Sequence, residues 1–317
     1  MPGVPSRRAT ARVKVLLTGA TGFLGRHTLN HLAEPHDVVV LARRKPPSAL
    51  RDLADWVVMD LAEPIDPARL PARVDAVVHL AQSERFREFP KGAPDVFAIN
   101  VAGTFGLLEY ARKARASRFI HASTGGVYRG GPEPLTEDAP LGPKGFYGAS
   151  KAAAERLVEA YAGPLQTIVL RPFFLYGPWQ SGMLIANLTE RVLAGEVVEV
   201  RGKPGIRLSP TYVDDAASAF SAALEVEGNQ ICNVAGSEAV TLTELVGLIG
   251  QVSGLTPRLR SIEAPPGGDL VADTRMMRHV LGVAPQVSLR EGIQRAVTAA
   301  RAEGGFVEGS PVTRRAS

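Results

Sequence analysis

Val13-Lys14-Val15-Leu16-Leu17-Thr18-Gly19-Ala20-Thr21-Gly22-Phe23-Leu24-Gly25 is the stretch on which the fold turns. Its first five residues, Val13–Leu17, read as a short buried strand. Glycines at 19, 22 and 25 then turn the chain, and Arg26–Ala33 carries amphipathic helical spacing. Strand, glycine turn and helix, in that order, are the context in which a glycine cluster binds a dinucleotide. Glycine lets the backbone approach a pyrophosphate closely, and the helix N-terminus offers unpaired N–H groups at its positive dipole end. A glycine cluster also marks an ordinary tight turn, so the reading depends on the downstream pattern of the chain.

The same alternation continues past this turn. Apolar runs at Val38–Leu41, Trp56–Met59, Ala76–Leu80, Arg118–Ala122 and Gln166–Leu170 read as strands. Helical patterns at Gly25–Ala33, Pro94–Ala114 and Tyr147–Ala162 lie between them. Such alternation argues a parallel sheet wrapped by helices on both faces. The strands are apolar nearly throughout, as strands covered on both sides are. After Arg171 prolines and glycines break the rhythm. A helix over Asp214–Glu225 and a strand over Gln230–Val234 return to the main sheet, and the rest reads as a smaller lobe in discontinuous pieces. The expected fold is therefore α/β, a doubly wound parallel sheet over 1–175 and 208–234. The substrate lobe is expected over 176–207 and 235–303, with a disordered tail over 304–317.

Composition excludes several classes. A net charge of +4, with basic residues scattered rather than clustered, gives no sign of nucleic-acid binding. No apolar run approaches 18 residues, and no apolar segment follows the polar residues 1–12, so neither a membrane span nor a secretory leader is expected. A single cysteine, Cys232, rules out an intrachain disulfide framework and fits a reducing, cytoplasmic setting. It lies in a strand-like run and reads as a buried, inert thiol. No His/Cys/Asp cluster has metal spacing, and no Gly-x-Ser-x-Gly elbow is present. Tyr147 and Lys151, four residues apart, put a proton donor and a cation on one helical face.

The chain resembles the extended short-chain dehydrogenase/reductases, the group of nucleotide-sugar epimerases, dehydratases and reductases. The resemblance runs from about Lys14 to Val297. Its anchors include the glycine turn, Asp60-Leu61, His79-Leu80-Ala81, Asn100-Val-Ala-Gly-Thr104, Ser123-Thr124 with Val127-Tyr128, Tyr147-x-x-x-Lys151, Leu170-Arg171-Pro172, Tyr176-Gly177-Pro178 and Tyr212-Val-Asp-Asp215. It implies that Gly19, Thr21, Gly22, Phe23, Leu24 and Gly25 hold the pyrophosphate. Asp60 and Leu61 then meet the adenine, and Leu80, Ala81, Asn100, Ser123 and Pro172 complete the cofactor site. It also implies Tyr147 as acid/base, with Thr124 orienting the substrate oxygen. Lys151 lowers the phenol pKa from its ordinary value of about 10 and bonds the nicotinamide ribose. At the end of the second strand the acid that usually binds the ribose 2′-hydroxyl is replaced by Ala42, followed by Arg43 and Arg44. Guanidinium forks suit a 2′-phosphate, so NADP is expected, with NAD as the alternative. Asn100 is expected to begin a helix as a cap or core hydrogen bond. His79 and His121 are expected as packing or backbone-bonding residues.

Departures from the family pattern bear on the substrate. In the 4,6-dehydratases of this family an Asp-Glu pair follows the catalytic Thr and drives loss of water. Here Gly125 and Gly126 stand there, which argues against dehydration. The Asn expected before Tyr-Gly-Pro is replaced by Phe174-Leu175, the diphosphate Arg is displaced to Arg207, and Pro265–Asp269 lacks its Arg. Gln82, Gly125, Phe174, Trp179 and Arg207 are the candidate residues for a small-molecule substrate. The leading expectation is hydride transfer between nicotinamide and a carbonyl or secondary alcohol. The alternative is a nucleotide-sugar 4-epimerase with a retained cofactor, and a non-catalytic nucleotide sensor stands third. The two helices from Pro94 and from Tyr147 carry more apolar surface than one sheet face covers, and the family pairs them in a homodimer.

Overall fold

The computed structural model describes residues 12–264 and 268–304. Residues 1–11, Pro265–Gly267 and the expected tail past Gly304 lie outside the described residues. The first strands are β1 (Lys14–Thr18), β2 (Asp37–Ala42), β3 (Asp55–Val58), β4 (Ala76–His79), β5 (Arg118–Ala122) and β6 (Gln166–Pro172). Shorter strands follow: β7 (Leu175–Tyr176), β8 (Val197–Arg201), β9 (Arg207–Leu208), β10 (Thr211–Tyr212), β11 (Gln230–Val234), β12 (Val240–Thr241) and β13 (Arg258–Ile262). The helices are α1 (Phe23–Ala33), α2 (Ala93–Phe97), α3 (Thr104–Lys113), α4 (Gly145–Ala160), α5 (Leu184–Leu193), α6 (Val213–Ala222), α7 (Leu242–Ser253), α8 (Arg275–Val280) and α9 (Leu289–Gly304).

Seven strands form one sheet in the order β11-β6-β5-β4-β1-β2-β3. Around β1 the pairing is parallel, with Val15 opposite both Val38 and Ala76. Val15, Leu16 and Leu17 are fully buried, which explains why these strands are apolar on both faces. The strand order reverses between β1 and β4. In α/β sheets such a switch point, outside the carboxyl ends of the strands, is where ligands are held. By contact the chain divides into two compact units. One comprises the chain up to Ala122, Ala153–Val169 and Ala223–Gln230; the other comprises Ser123–Ala152, Leu170–Ala222 and the chain from Ile231 on.

In the first unit a buried polar chain ties β1, β4 and α3 together. Thr104 Oγ1 donates to the Asn100 carbonyl at 2.7 Å, which leaves it to accept from His79 Nε2 at 3.0 Å. His79 Nδ1 then accepts from Thr18 Oγ1 at 2.8 Å, and Thr18 Oγ1 accepts from the Ala81 N–H at 3.2 Å. His79 is buried against the Phe119 ring, as the packing expectation has it, and in addition bonds the two threonine side chains. The expected helix over Pro94–Ala114 runs without a break from Ala93 to Lys113, with π-helical winding over Ala98–Gly103 in its middle. Asn100 lies inside that π-helical segment and does not begin a helix.

In the second unit α5, α7 and α9 bury Ile185, Leu188, Val192, Leu245, Ile249, Ile293 and Val297 in one cluster. Each such side chain contributes about 1.5–3 kcal/mol relative to exposure. The ends of α7 are fixed locally. Thr241 and Glu244 form a reciprocal capping box, and Gly254 closes the helix in the left-handed conformation. Cys232 is fully buried in β11, and burial pushes its thiol pKa up to about 12. No helix among the described residues is long and apolar enough to cross a membrane.

The glycine turn generates a stability test. A Cβ on Gly25 would lie 1.9 Å from the Gly19 carbonyl oxygen, which is backbone and has nowhere to move. A Cβ on Gly22 would approach the same oxygen only to 3.2 Å. Gly25→Ala is expected to cost about 1–3 kcal/mol as overpacking does, and Gly22→Ala less than about 1. Urea unfolding of both variants checks the order.

Candidate active site

In the first unit the turn after β1 builds an anion cradle. Gly19 adopts φ +75°, and its missing side chain lets the turn press on the Leu80–Ala81 backbone, where a Cβ would come within 2.6 Å of Ala81 N. Gly22 N–H closes the turn onto Gly19 O at 2.9 Å. α1 then starts with Gly22 as its N-cap, without a side-chain cap and without an acidic residue in its first turn. Its leading N–H groups are thus not claimed by a capping side chain, and no carboxylate repels an anion there. These residues fit the diphosphate of a dinucleotide. Thr21 is exposed beside them, and Phe23 and Leu24 are half-buried.

The flanking expectations fall in the same unit. Asp60 uses one carboxylate oxygen on the Ala62 N–H at 3.0 Å, which shapes the loop after β3, and Leu61 is buried. Gly103 has no side chain, so the π-helical segment packs against the Leu61 carbonyl. Asn100 is buried and accepts the Ser83 N–H at 2.9 Å, so it holds the loop that follows Gln82. Arg43 and Arg44 are exposed past β2. Arg43 forms an ion pair with Glu84 at 2.7 Å, so a carboxylate already stands beside that guanidinium.

In the second unit the sequence-predicted hydroxyls meet. Thr124 caps a tight turn, Gly125–Val127, and its Oγ1 accepts the Gly126 N–H at 3.1 Å. Tyr147 sits in the first turn of α4, and its phenol is hydrogen-bonded to the Thr124 side chain. Gly148 permits the approach: a Cβ there would lie 3.2 Å from the Gly126 carbonyl and 2.9 Å from the Pro143 ring. Burial pushes the Tyr147 pKa up to about 12, and the Thr124 bond pulls it back in part. Lys151 follows one turn on and is only 2% exposed. Ser123, next to Thr124, is buried, as is Pro172 at the end of β6, and Ser123 N–H bonds Leu170 O at 2.8 Å.

The substrate candidates are scattered more widely. Gly125 is buried in the Thr124 turn. Phe174 and Trp179 both hold left-handed backbone, φ +38° and +60°, and Trp179 is 59% exposed. Phe174 also packs against the two buried clusters of this unit, which contain Tyr176 and Phe173. Arg207 is exposed on β9, with its own N–H on Asp269 Oδ1 at 2.8 Å. The structure therefore brings together Arg207 and Asp269, two of the residues at which the family pattern is altered. Asp215 instead accepts the Gln286 and Val287 N–H groups at 2.9 and 3.2 Å, a structural role. A cavity of about 460 Å³ in this unit is lined by Tyr176, Trp179, Gln180 and Thr189 among others, and by none of Thr124, Tyr147 and Lys151. Among the described residues no cluster of His, Cys, Asp or Glu is placed to hold a metal.

A buried layer was missed in the sequence. Arg171 donates to the Tyr128 hydroxyl at 2.7 Å and to the Glu137 carbonyl at 2.9 Å, with its guanidinium 4.8 Å from the Tyr128 ring centre. Tyr128 donates in turn to Asn233 Oδ1 at 2.8 Å, and Asn233 Nδ2 donates to Leu135 O at 2.8 Å. The signal was present in Val127-Tyr128 and Leu170-Arg171-Pro172, but sequence spacing does not say that these segments touch.

Known proteins resemble this chain over most of its length. A model described as the NAD dependent epimerase/dehydratase family matches residues 15–235. The UDP-glucose 4-epimerase of Mycolicibacterium smegmatis is 31% identical over 307 residues, covering 90% of this chain and 97% of that one. The dTDP-glucose 4,6-dehydratase of Streptomyces niveus is 29% identical over 308 residues, covering 89% and 90%. Among solved structures, MoeE5 in complex with UDP-glucuronic acid and NAD superposes with a TM-score of 0.81 at 31% identity, over 92% of this chain and 99% of that one. The UDP-glucose 4-epimerase of Thermotoga maritima, solved with UDP-glucose, gives 0.81 at 26% identity over the same shares.

Proposed function

The chain belongs to the NAD dependent epimerase/dehydratase family, and we propose that it is a nucleotide-sugar 4-epimerase that retains NAD. The sequence put net hydride transfer first and epimerisation second. The relatives named as UDP-glucose 4-epimerases favour the second, with which net hydride chemistry at the same residues remains compatible. The observation that carries the reading is the hydrogen-bonded Thr124–Tyr147 pair, followed by buried Lys151 and by two glycines where an elimination acid and base would stand.

In this reading the glycine turn and the N-terminus of α1 hold the diphosphate of the cofactor. When bound, the nicotinamide supplies a reversible hydride acceptor, so that one sugar carbon is oxidised and then reduced on its other face. Thr124 holds the sugar's C4 oxygen. Tyr147 takes the hydroxyl proton during oxidation and returns it during reduction. Its pKa of about 12 in the free protein is too high for a base at neutral pH. Lys151 is already in place at that value, so the positive charge of an oxidised nicotinamide, which favours phenolate, is what would bring the phenol into range, with the Lys151 ammonium one turn on to hold the phenolate. Arg207, exposed and held by its backbone N–H on Asp269, is the candidate cation for the substrate diphosphate.

The Arg43–Glu84 pair supports NAD over NADP, because the Glu84 carboxylate offsets the guanidinium and repels a 2′-phosphate. A symmetric homodimer belongs to the same proposal. Phe97 and Phe105, on either side of the π-helical segment, are 55% and 49% exposed and make an apolar face for a second copy. A cytoplasmic setting fits a diffusible nucleotide sugar and a single buried thiol.

Purified protein should carry NAD by mass spectrometry and interconvert UDP-glucose or UDP-glucuronic acid with its C4 epimer by NMR, without net redox change. Tyr147→Phe should lower kcat about 10²–10⁴-fold with cofactor affinity nearly unchanged, whereas Lys151→Ala should weaken both. Wild-type turnover in Tyr147→Phe would sink the mechanism. For the cofactor, NADH should bind more tightly than NADPH, and Glu84→Gln should shift the ratio several-fold toward NADPH, as a solvent-exposed charge does. Tighter NADPH binding by the wild type would reverse the assignment. For assembly, light scattering at micromolar concentration should give twice the chain mass of 33.7 kDa.

A further inference from the structure

We propose that Phe173 sets the reaction class, because its ring fills the space that a proton-transferring side chain at position 125 would occupy. The inference rests on the reading of Thr124 and Tyr147 as the reacting pair. It goes beyond the absence of an acid and a base after Thr124: the fold excludes one of them by packing.

A Cβ built on Gly125 would lie 2.7 Å from both Cδ1 and Cγ of Phe173 and 2.8 Å from Cδ2. Real Cβ atoms do not approach a ring so closely, so either Gly125 stays bare or the ring moves. The ring cannot move cheaply. Phe173 is 1% exposed and stacks on Tyr128, with centroids 5.9 Å apart and planes 29° apart. Tyr128 is pinned by its hydroxyl between Arg171 and Asn233, with the Arg171 guanidinium over its ring. The Phe173 backbone is fixed too. Its N–H donates to Val234 O at 2.9 Å, and its carbonyl accepts the Thr211 hydroxyl.

Position 126 behaves differently. A Cβ on Gly126 would meet only the Thr124 side chain, at 3.4 and 3.6 Å, which is ordinary contact. Neither glycine has positive φ, so the backbone itself accepts an L-residue at both. The two glycines are therefore not equivalent: 126 is bare by choice of sequence, 125 by the pressure of Phe173. Loss of water from a 4-keto sugar needs a base to remove the proton beside the carbonyl and an acid to protonate the leaving hydroxyl. A carboxylic acid at 125 is the group that Phe173 shuts out.

The test begins with stability, which needs no substrate and stands even if no sugar nucleotide is turned over. Gly125→Ala is expected to lower Tm by about 3–10 °C, and Gly126→Ala to leave it within about 2 °C. Combining Gly125→Ala with Phe173→Ser should cost less than the sum of the two single changes. A Gly125→Ala protein as stable as wild type, or strict additivity in the pair, overturns the packing argument. The second stage compares Gly125→Asp/Gly126→Glu with and without Phe173→Ser, each shown folded by circular dichroism. Both are supplied with the nucleotide sugar that the wild type accepts, and loss of one water is followed by mass spectrometry. A dehydrated product only from the variant lacking the ring is expected. Dehydration with Phe173 intact, or none from the folded triple variant, overturns the assignment. Failure of the epimerase reading shows separately, as absence of any turnover by wild type.

Discussion

The contact between Gly25 and the Gly19 carbonyl is the constraint on which the nucleotide side of the molecule depends. α1 begins so close to the end of β1 that one methyl group would occupy the place of a backbone oxygen. Because it starts there, the first N–H groups of α1 emerge at the carboxyl edge of the sheet with no capping side chain over them. The Thr18–His79–Thr104 chain then fixes the floor beneath. Each buried hydrogen bond of this kind adds about 1 kcal/mol, and leaving one member unpaired would cost more. The rigidity of the cradle thus comes from close packing and from a fully donated polar chain acting together.

The chemistry depends on a different balance in the second unit. A phenol inside protein is held neutral by desolvation, and the burial of Tyr147 does this strongly. A base at neutral pH requires the opposite. In the proposed mechanism the charge of Lys151 works against burial, and a positively charged cofactor adds to it. Lys151 is present in the free protein, so the remaining fall in pKa rests on the charge of the cofactor. The layer beneath serves the same site by staying still. Arg171, Tyr128 and Asn233 satisfy one another in a place where an unpaired cation would cost several kcal/mol. That fixed layer is what makes the Phe173 ring a wall.

The doubly wound sheet was legible in the chain, because buried parallel strands must be apolar on both faces and the spacing of β1 to β6 admits few other arrangements. So was the tight glycine turn after β1, where a side chain at Gly19 or Gly25 would collide with backbone. The sequence also placed Tyr147 and Lys151 on one helical face, a matter of local periodicity. Only the tertiary structure decided the rest, because it depends on contacts between segments far apart in the chain. The helix through Asn100 was expected to begin at that residue, but Asn100 lies inside a π-helical segment whose Gly103 packs against Leu61, 42 residues back. His79 could not be told from a packing histidine until Thr18 and Thr104 were seen on either side of it. Arg43 read as a phosphate ligand from its place after β2, and only the folded chain sets Glu84, 41 residues away, beside it. Gly125 and Gly126 look alike in sequence. The ring of Phe173, 48 residues on, is what separates them, and steric exclusion across that distance leaves no local trace in the chain.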